Sequence, residues 1–211
     1  MIDARLQLAL DGGGLELPAE GTIAVFQPPR DSDLPGLDKD RVQIIHDFKP
    51  DYDAWAGRGY DVVRTIKDRY AACIVCLPRA KAEARAVIAA ACEVCDGIVV
   101  IDGQKTDGAD SVLREMRDRV TVQGPISKAH GKMFWISEPA AEFFSDWRQG
   151  PELTEGGFWT APGVFSADGV DLASALLVDA LPEKLGSEVA DLGAGWGFSS
   201  AHALTRPDIK N

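Results

Sequence analysis

Short, uniformly apolar runs alternate along this chain with longer stretches in which apolar residues recur every three or four positions. Apolar runs of about four to eight residues between turn residues read as buried strands, and the longer period reads as helix. Residues 22–26, 42–45, 60–65, 72–77 and 98–101 are therefore expected strands, the clearest being 72–77, which Pro78 closes. Residues 81–95, rich in Ala and Glu, are the clearest helix. A second helix is expected at 110–118, with Leu113 and Met116 on one side. Residues 66–70 read as a turn or short helix, 53–59 are ambiguous, and Gly12, Gly13 and Gly14 mark a flexible bend. Residues 120–122 and 133–136 are the last strands of this unit, an expected antiparallel edge joined through Gly124, Pro125 and Gly131. Strands that alternate with helices and are apolar on both faces predict an α/β layer with a mostly parallel sheet.

Beyond this unit the pattern changes. Residues 138–157 read as a linker, with Pro139, Gly150, Pro151, Gly156 and Gly157 interleaved with Phe143, Phe144 and Trp147, aromatics that suggest packing. Residues 158–166 read as a hairpin, and Asp168 or Asp171 as the cap of a helix at 172–180. A short strand at 188–192 then leads into a glycine loop and a helix at 198–204.

The chain has 211 residues, 45% of them hydrophobic, which allows one large domain or one domain and part of another. No apolar run approaches the ~20 residues of a membrane span, and residues 1–5 do not begin a secretory signal. A cytoplasmic protein without membrane association is expected. The net charge of −11 disfavours broad nucleic-acid affinity, which needs Lys and Arg against phosphate, but leaves room for local patches. Such clusters occur at Arg64, Lys67 and Arg69, at Arg79, Lys81 and Arg85, and at Lys128, His130 and Lys132, and each also reads as a solvated face.

Cys73 and Cys76 are followed by Cys92 and Cys95 at a spacing that zinc sites share. Residues three apart on a strand point to opposite faces, so Cys73 and Cys76 cannot both hold one ion. All four are expected to be core thiols, with no metal bound. His46, His130 and His202 make no triad or metal spacing, and His202 reads as a helix-surface residue.

The most specific signal is Asp191-Leu192-Gly193-Ala194-Gly195-Trp196-Gly197, placed between the expected strand and helix. Glycines here let backbone approach a ligand without an intervening Cβ. A dinucleotide site needs a third glycine three residues after the second, and that position is Phe198. The pattern resembles instead motif I of the class I S-adenosylmethionine-dependent methyltransferases. That resemblance implies that Asp191 helps hold the amino-acid end of the cofactor, with Gly193, Ala194, Gly195 and Gly197 bordering it. Trp196 either walls the pocket or packs on the helix.

Upstream, Pro162-Gly163-Val164-Phe165-Ser166, with Asp168, Gly169 and Asp171 after it, resembles the entry segment of the RsmC-type ribosomal RNA methyltransferases. Residues 73–84 and 98–103 are similar to that family's N-terminal domain, which has a methyltransferase-like fold but no working cofactor loop. The resemblance implies a Rossmann-like auxiliary domain over 1–137, a linker over 138–157, and the start of a catalytic domain over 158–211. It implies S-adenosylmethionine as cofactor, Phe165 and Ser166 closing over it, and transfer of a methyl group to the exocyclic N2 of a guanine in small-subunit ribosomal RNA. The partner is then ribosomal RNA or the small ribosomal subunit.

Amino-group methyltransferases of this kind use an Asn-Pro-Pro-aromatic motif to orient the target amine, and positioning is the main catalytic lever for such a transfer. The single asparagine here is Asn211, so no catalytic residue is assigned and the chain is expected to be truncated and inactive alone. Gln27-Pro28-Pro29-Arg30 is rejected as a substitute and read as a proline turn. An NAD-binding oxidoreductase fragment and a non-catalytic Rossmann-like binding module are the alternatives.

Overall fold

The computed structural model describes residues 2–139 and 141–210. Asn211, where the expected catalytic segment ends, lies outside the described residues, as do Met1 and Ala140. The chain divides into two compact units, residues 1–148 and 149–211.

The first unit opens with helix α1 (Ile2–Leu10), then β1 (Ile23–Phe26), β2 (Val42–Ile45), α2 (Lys49–Gly57), β3 (Asp61–Val63) and β4 (Tyr70–Cys76). It continues through α3 (Lys81–Val94), β5 (Cys95–Gln104), α4 (Ala109–Arg117), β6 (Gln123–Lys128) and β7 (Gly131–Ile136) to a 3-10 segment, Ala141–Trp147. Seven strands make one sheet in the order β3-β2-β1-β4-β5-β7-β6. β1 to β5 pair in parallel, and β7 runs antiparallel to both neighbours. The expected mostly parallel α/β layer with an antiparallel edge is what forms, as a doubly wound Rossmann-like sheet.

The apolar runs follow from the sheet having two covered faces. Ala24, Phe26, Cys73, Val75, Val99, Ile101, Phe134 and Ile136 face one way, against Ile88 of α3 and Leu113 and Met116 of α4. Their alternates Val25, Ile44, Ile74, Val100, Met133 and Trp135 face the other, against Ile2 and Leu6 of α1 and Trp55 of α2. Cys73 and Cys76 fall in these two separate clusters, as the period of two requires. All four thiols are free and buried. Burial pushes Cys92 up to about 12, and the hydrogen bond with Cys95, together with burial, raises Cys73 far out of its ordinary range.

Several elements differ from expectation. The ambiguous stretch 53–59 falls largely in α2, whose Trp55 is fully buried and donates to the Pro28 carbonyl (2.9 Å). Residues 66–70 make no helix; Tyr70 already begins β4. The strand expected at 120–122 lies further on, at β6, because pairing Lys128 with Gly131 across a two-residue turn sets the register. Val120 and Val122 instead pack on the core beside α4. Phe144 and Trp147 are buried within the first unit, in the core cluster that holds Ile88.

One long-range contact had no signal in the sequence. Arg5 of α1 is fully buried and donates from Nε and Nη2 to the two Asp102 carboxylate oxygens (2.5 and 2.8 Å), and from Nη1 to the Lys128 carbonyl (2.9 Å). Burial pushes the Asp102 carboxyl up, and Arg5 only partly offsets this.

The second unit holds the hairpin β8 (Glu152–Leu153) and β9 (Trp159–Thr160), then α5 (Leu172–Ala180) and α6 (Phe198–Ala203). The expected hairpin at 158–166 is corrected to this earlier pairing, Glu152 with Thr160 and Leu153 with Trp159. The expected strand at 188–192 is not formed: those residues are exposed, and among the described residues no strand lies beside them to take their hydrogen bonds. Among the described residues no helix is long and apolar enough to cross a membrane, and no cluster of three or more His, Cys, Asp or Glu could hold a metal ion.

Candidate functional site

The second unit gathers its chemistry around the glycine loop. Gly193, Gly195 and Gly197 have φ of +82°, +58° and +93°, values that favour glycine. A Cβ added at Gly193 or Gly197 would meet nothing within 4 Å, so glycine is required there by conformation, while space beside the backbone stays open. Gly197 caps α6 in the left-handed conformation, which turns the chain from loop to helix. Asp191 is exposed at the loop's entry, and its carboxylate accepts a hydrogen bond from Ser200 of α6 (2.7 Å). That bond orients the carboxylate relative to the loop.

A cleft of about 100 Å³ is lined by Phe165, Ser166, Asp171, Ser174, Gly193, Ala194, Gly195, Trp196, Phe198 and Ser199. Five of the expected residues thus share one cleft; Asp191 and Gly197 border the loop without lining it. Ser166, at φ +55°, donates to the Gly169 carbonyl (2.8 Å), which closes the turn after Phe165. Trp196 donates its indole N–H to the Phe165 carbonyl (3.1 Å) and packs on Phe158 with ring centroids 4.8 Å apart. It therefore walls the cleft and packs on its neighbours at once. Asp171, rather than Asp168, caps α5, accepting from the Ser174 amide (2.9 Å). The sequence placed Asp171 as a cap and in the entry segment but not at a cleft, and Ser174 and Ser199 were passed over; the spacing of Asp171 and Ser174 is a capping signal and carries no mark of a cleft.

The remaining candidates fall elsewhere. Phe198, at the position a dinucleotide site needs for glycine, packs on Trp196 and on His202, whose ring centroid lies 4.5 Å away. Gln27 to Arg30 follow β1 in the first unit, where Trp55 fixes Pro28. His46 is buried, accepts the Phe48 amide at Nδ1 (3.3 Å), and lies 3.4 Å from Asp51. Burial lowers its pKa, with Asp51 and Asp47 opposing the shift.

A cleft lined by both polar and aromatic side chains, beside an open glycine backbone and an oriented carboxylate, can hold a small cationic or zwitterionic group. About 100 Å³ is well below the ~300 Å³ at which pockets for whole cofactors begin, so the cleft has room for one end of a larger ligand and not for all of it.

Residues 155–210 match the methyltransferase small domain. The chain is 32% identical over 143 residues to ribosomal RNA small subunit methyltransferase C of Vibrio parahaemolyticus, covering 63% of this chain and 41% of that protein. It is 30% identical over 115 residues to the same-named protein of Serratia proteamaculans, covering 53% of this chain and 33% of that protein. The matched regions thus span about a third to two-fifths of the length of these curated relatives. Among solved structures, the T. thermophilus 16S rRNA N2 methyltransferase RsmC, in complex with AdoMet and guanosine, superposes with a TM-score of 0.61. It is 20% identical, with 84% of this chain and 52% of that chain covered. Residues 155–210 thus match the methyltransferase small domain, the chain is similar in sequence to these two methyltransferases C, and it shares the fold of the solved RsmC.

Proposed function

We propose that this chain is part of an S-adenosylmethionine-dependent methyltransferase acting on the exocyclic N2 of a guanine in small-subunit ribosomal RNA. The observation that carries the reading is the loop from Asp191 to Gly197, whose left-handed glycines open onto the cleft shared with Phe165 and Ser166, inside the matched small domain. The first unit would be the auxiliary domain and the second the opening of the cofactor-binding domain, with the expected connection at 138–157 divided between them, since Phe144 and Trp147 sit in the first unit's core and Glu152 and Leu153 pair within the second. The cofactor supplies a methyl group on a cationic sulfonium. Asp191, held by Ser200, would bind the ammonium of its amino-acid end; Gly193, Ala194, Gly195 and Gly197 would let the backbone approach; Phe165 and Ser166 would cover it. The small cleft volume and the net charge of −11 also suit a non-catalytic module, so cofactor uptake is the deciding measurement. The relatives' names support ribosomal RNA as substrate, and a cytoplasmic setting goes with that reading.

The chain has no Asn-Pro-Pro-aromatic motif to orient the amine, so by itself it is expected to transfer no methyl group. Titration calorimetry with S-adenosylmethionine, on this chain and on a version extended through the rest of the cofactor domain, tests the reading. Heat from the extended version, abolished by Asp191→Ala, is the expected result; no uptake by either protein would remove the proposal.

A further inference from the structure

The first unit carries a concentration of positive charge that its overall balance does not predict. A cavity of about 310 Å³ opens beside the β6–β7 hairpin and is lined by Lys105, Ala109, Asp110, Ser127, Lys128, His130, Gly131 and Lys132. Three lysines and a histidine face one carboxylate, Asp110, in a chain whose net charge is −11. Lys132 pairs with Asp110 (2.5 Å), whereas Lys105 and Lys128 form no ion pair among the described residues and are exposed. Asp110 already samples the field that an incoming anion would meet. Its hydrogen bond to Lys132, and then the charges of Lys132, Lys105 and Arg114, hold its carboxyl below the ordinary range.

The lysines are held in place by backbone contacts. The Lys105 amide donates to the His130 carbonyl (2.8 Å), fixing the segment after β5 to the hairpin turn. The buried Arg5, locked on Asp102, donates to the Lys128 carbonyl on the opposite side of that turn (2.9 Å). Gly131 leaves the room this requires, since a Cβ there would overlap Arg5 Nη1. Between them Ala129 and His130 sit at φ +49° and +57°, a pair of left-handed non-glycine residues in a two-residue turn where glycine would be relaxed. The hairpin is thus anchored by a buried ion pair, and its cationic side chains project from a fixed base.

We propose that this cavity is a phosphate-binding surface through which the first unit grips the backbone of the RNA substrate, with Lys105, Lys128 and Lys132 as its phosphate contacts. The choice of RNA among phosphate-bearing ligands rests on the functional reading above. On so acidic a protein, a local patch is what permits RNA contact, because each phosphate neutralised by a lysine releases condensed counterions.

Fluorescence anisotropy with a labelled single-stranded RNA drawn from small-subunit ribosomal RNA, measured across salt concentrations, tests this on the full chain. The double variant Lys105→Gln/Lys128→Gln removes two exposed charges outside the core, so unfolding midpoints should not change. It is expected to weaken binding about tenfold near 0.1 M salt and to lower the slope of log affinity against log salt by about 1.4, two contacts at ~0.7 each. Arg64→Gln/Lys67→Gln, on another basic cluster, should keep wild-type affinity. Unchanged affinity and slope in the Lys105/Lys128 variant, an equal loss in the Arg64/Lys67 control, or no RNA affinity in the wild type would each overturn the proposal. So would inorganic pyrophosphate displacing RNA at equal concentration of phosphate groups, which would mark a free-anion site. Failure of S-adenosylmethionine uptake alongside an intact RNA difference would instead count against the methyltransferase reading and leave the surface standing.

Discussion

Residues 22–26 and residues 188–192 are both expected strands that run into a turn, the first uncharged and the second carrying Glu188 and Asp191, and they end in different states. The first becomes β1, paired on both sides with β2 and β4 and buried at every position. The second stays exposed, with Leu192 at 94% of its free accessibility. The two units repeat this contrast at larger scale. In residues 1–148 both faces of the sheet are covered and the strand residues interlock in two clusters. In residues 149–211 the apolar side chains of α5 point largely to solvent, Leu172 at 74% and Leu176 at 60%, and Val178 is the one buried hydrophobic residue among those described. An apolar run specifies a strand only where neighbours exist to take its hydrogen bonds and cover its faces. The first unit supplies those neighbours. The second offers a loop geometry, set locally by glycine, and among the described residues its one sheet is the two-stranded β8–β9 hairpin.

The largest test of that contrast is Asp102→Asn. It leaves the Arg5 guanidinium buried without its counter-charge, and removing one partner of a buried pair costs about 3–5 kcal/mol. Chemical denaturation should show this in the unfolding of the first unit; a loss below about 1 kcal/mol would mean the pair is not buried as described.

Matched truncations sharpen the comparison. Ile88→Ala, at a fully buried position in α3, is expected to cost about 2–5 kcal/mol. Leu176→Ala, on α5, should stay within about 0.5 kcal/mol. Equal costs would contradict the difference in packing between the units.

Gly193→Ala probes the loop. A left-handed alanine at φ +82° costs about 1–3 kcal/mol of local strain, and it would place a Cβ in the open space beside the loop. Cofactor heat in the extended version should fall at least tenfold, with the first unit's unfolding midpoint unchanged.

The smallest effect is in acid. Burial would raise Glu115, but hydrogen bonds from Lys81, Arg85 and Ser111 outweigh it and hold the carboxyl at about 2, against an ordinary 4.5. Because the folded-state value is the lower one, this contribution is complete above about pH 4.5 and fades as the pH falls toward 2. Denaturation midpoints measured at pH 7 and pH 3 should therefore differ less for Glu115→Gln than for the wild type.

Much of this was legible in the amino-acid order. The uniformly apolar runs marked β1, β2, β4, β5 and β7, and the Ala-rich stretch marked α3, because local pattern and burial agree there. The cleft was partly legible, since glycines 193, 195 and 197 announce a backbone that other residues avoid. The helix carrying Trp55 was obscured by Lys49, Pro50, Asp51 and Asp53, which dilute its apolar face. β6 was misplaced because its own residues, Gln123 to Lys128, are polar, and its register comes from β7.

The sequence by itself determined the strand and helix periods, the left-handed turns at the glycine loop, and the separation of Cys73 from Cys76 to opposite faces, because each is a matter of local steric geometry. Only the tertiary structure decided that Arg5 meets Asp102 across 97 positions, that Lys105 joins Lys128 and Lys132 around one cavity, and that residues 188–192 go unpaired. Those outcomes depend on which distant groups arrive as neighbours. Burial, charge pairing and sheet hydrogen bonding act between such neighbours, and no local pattern encodes them.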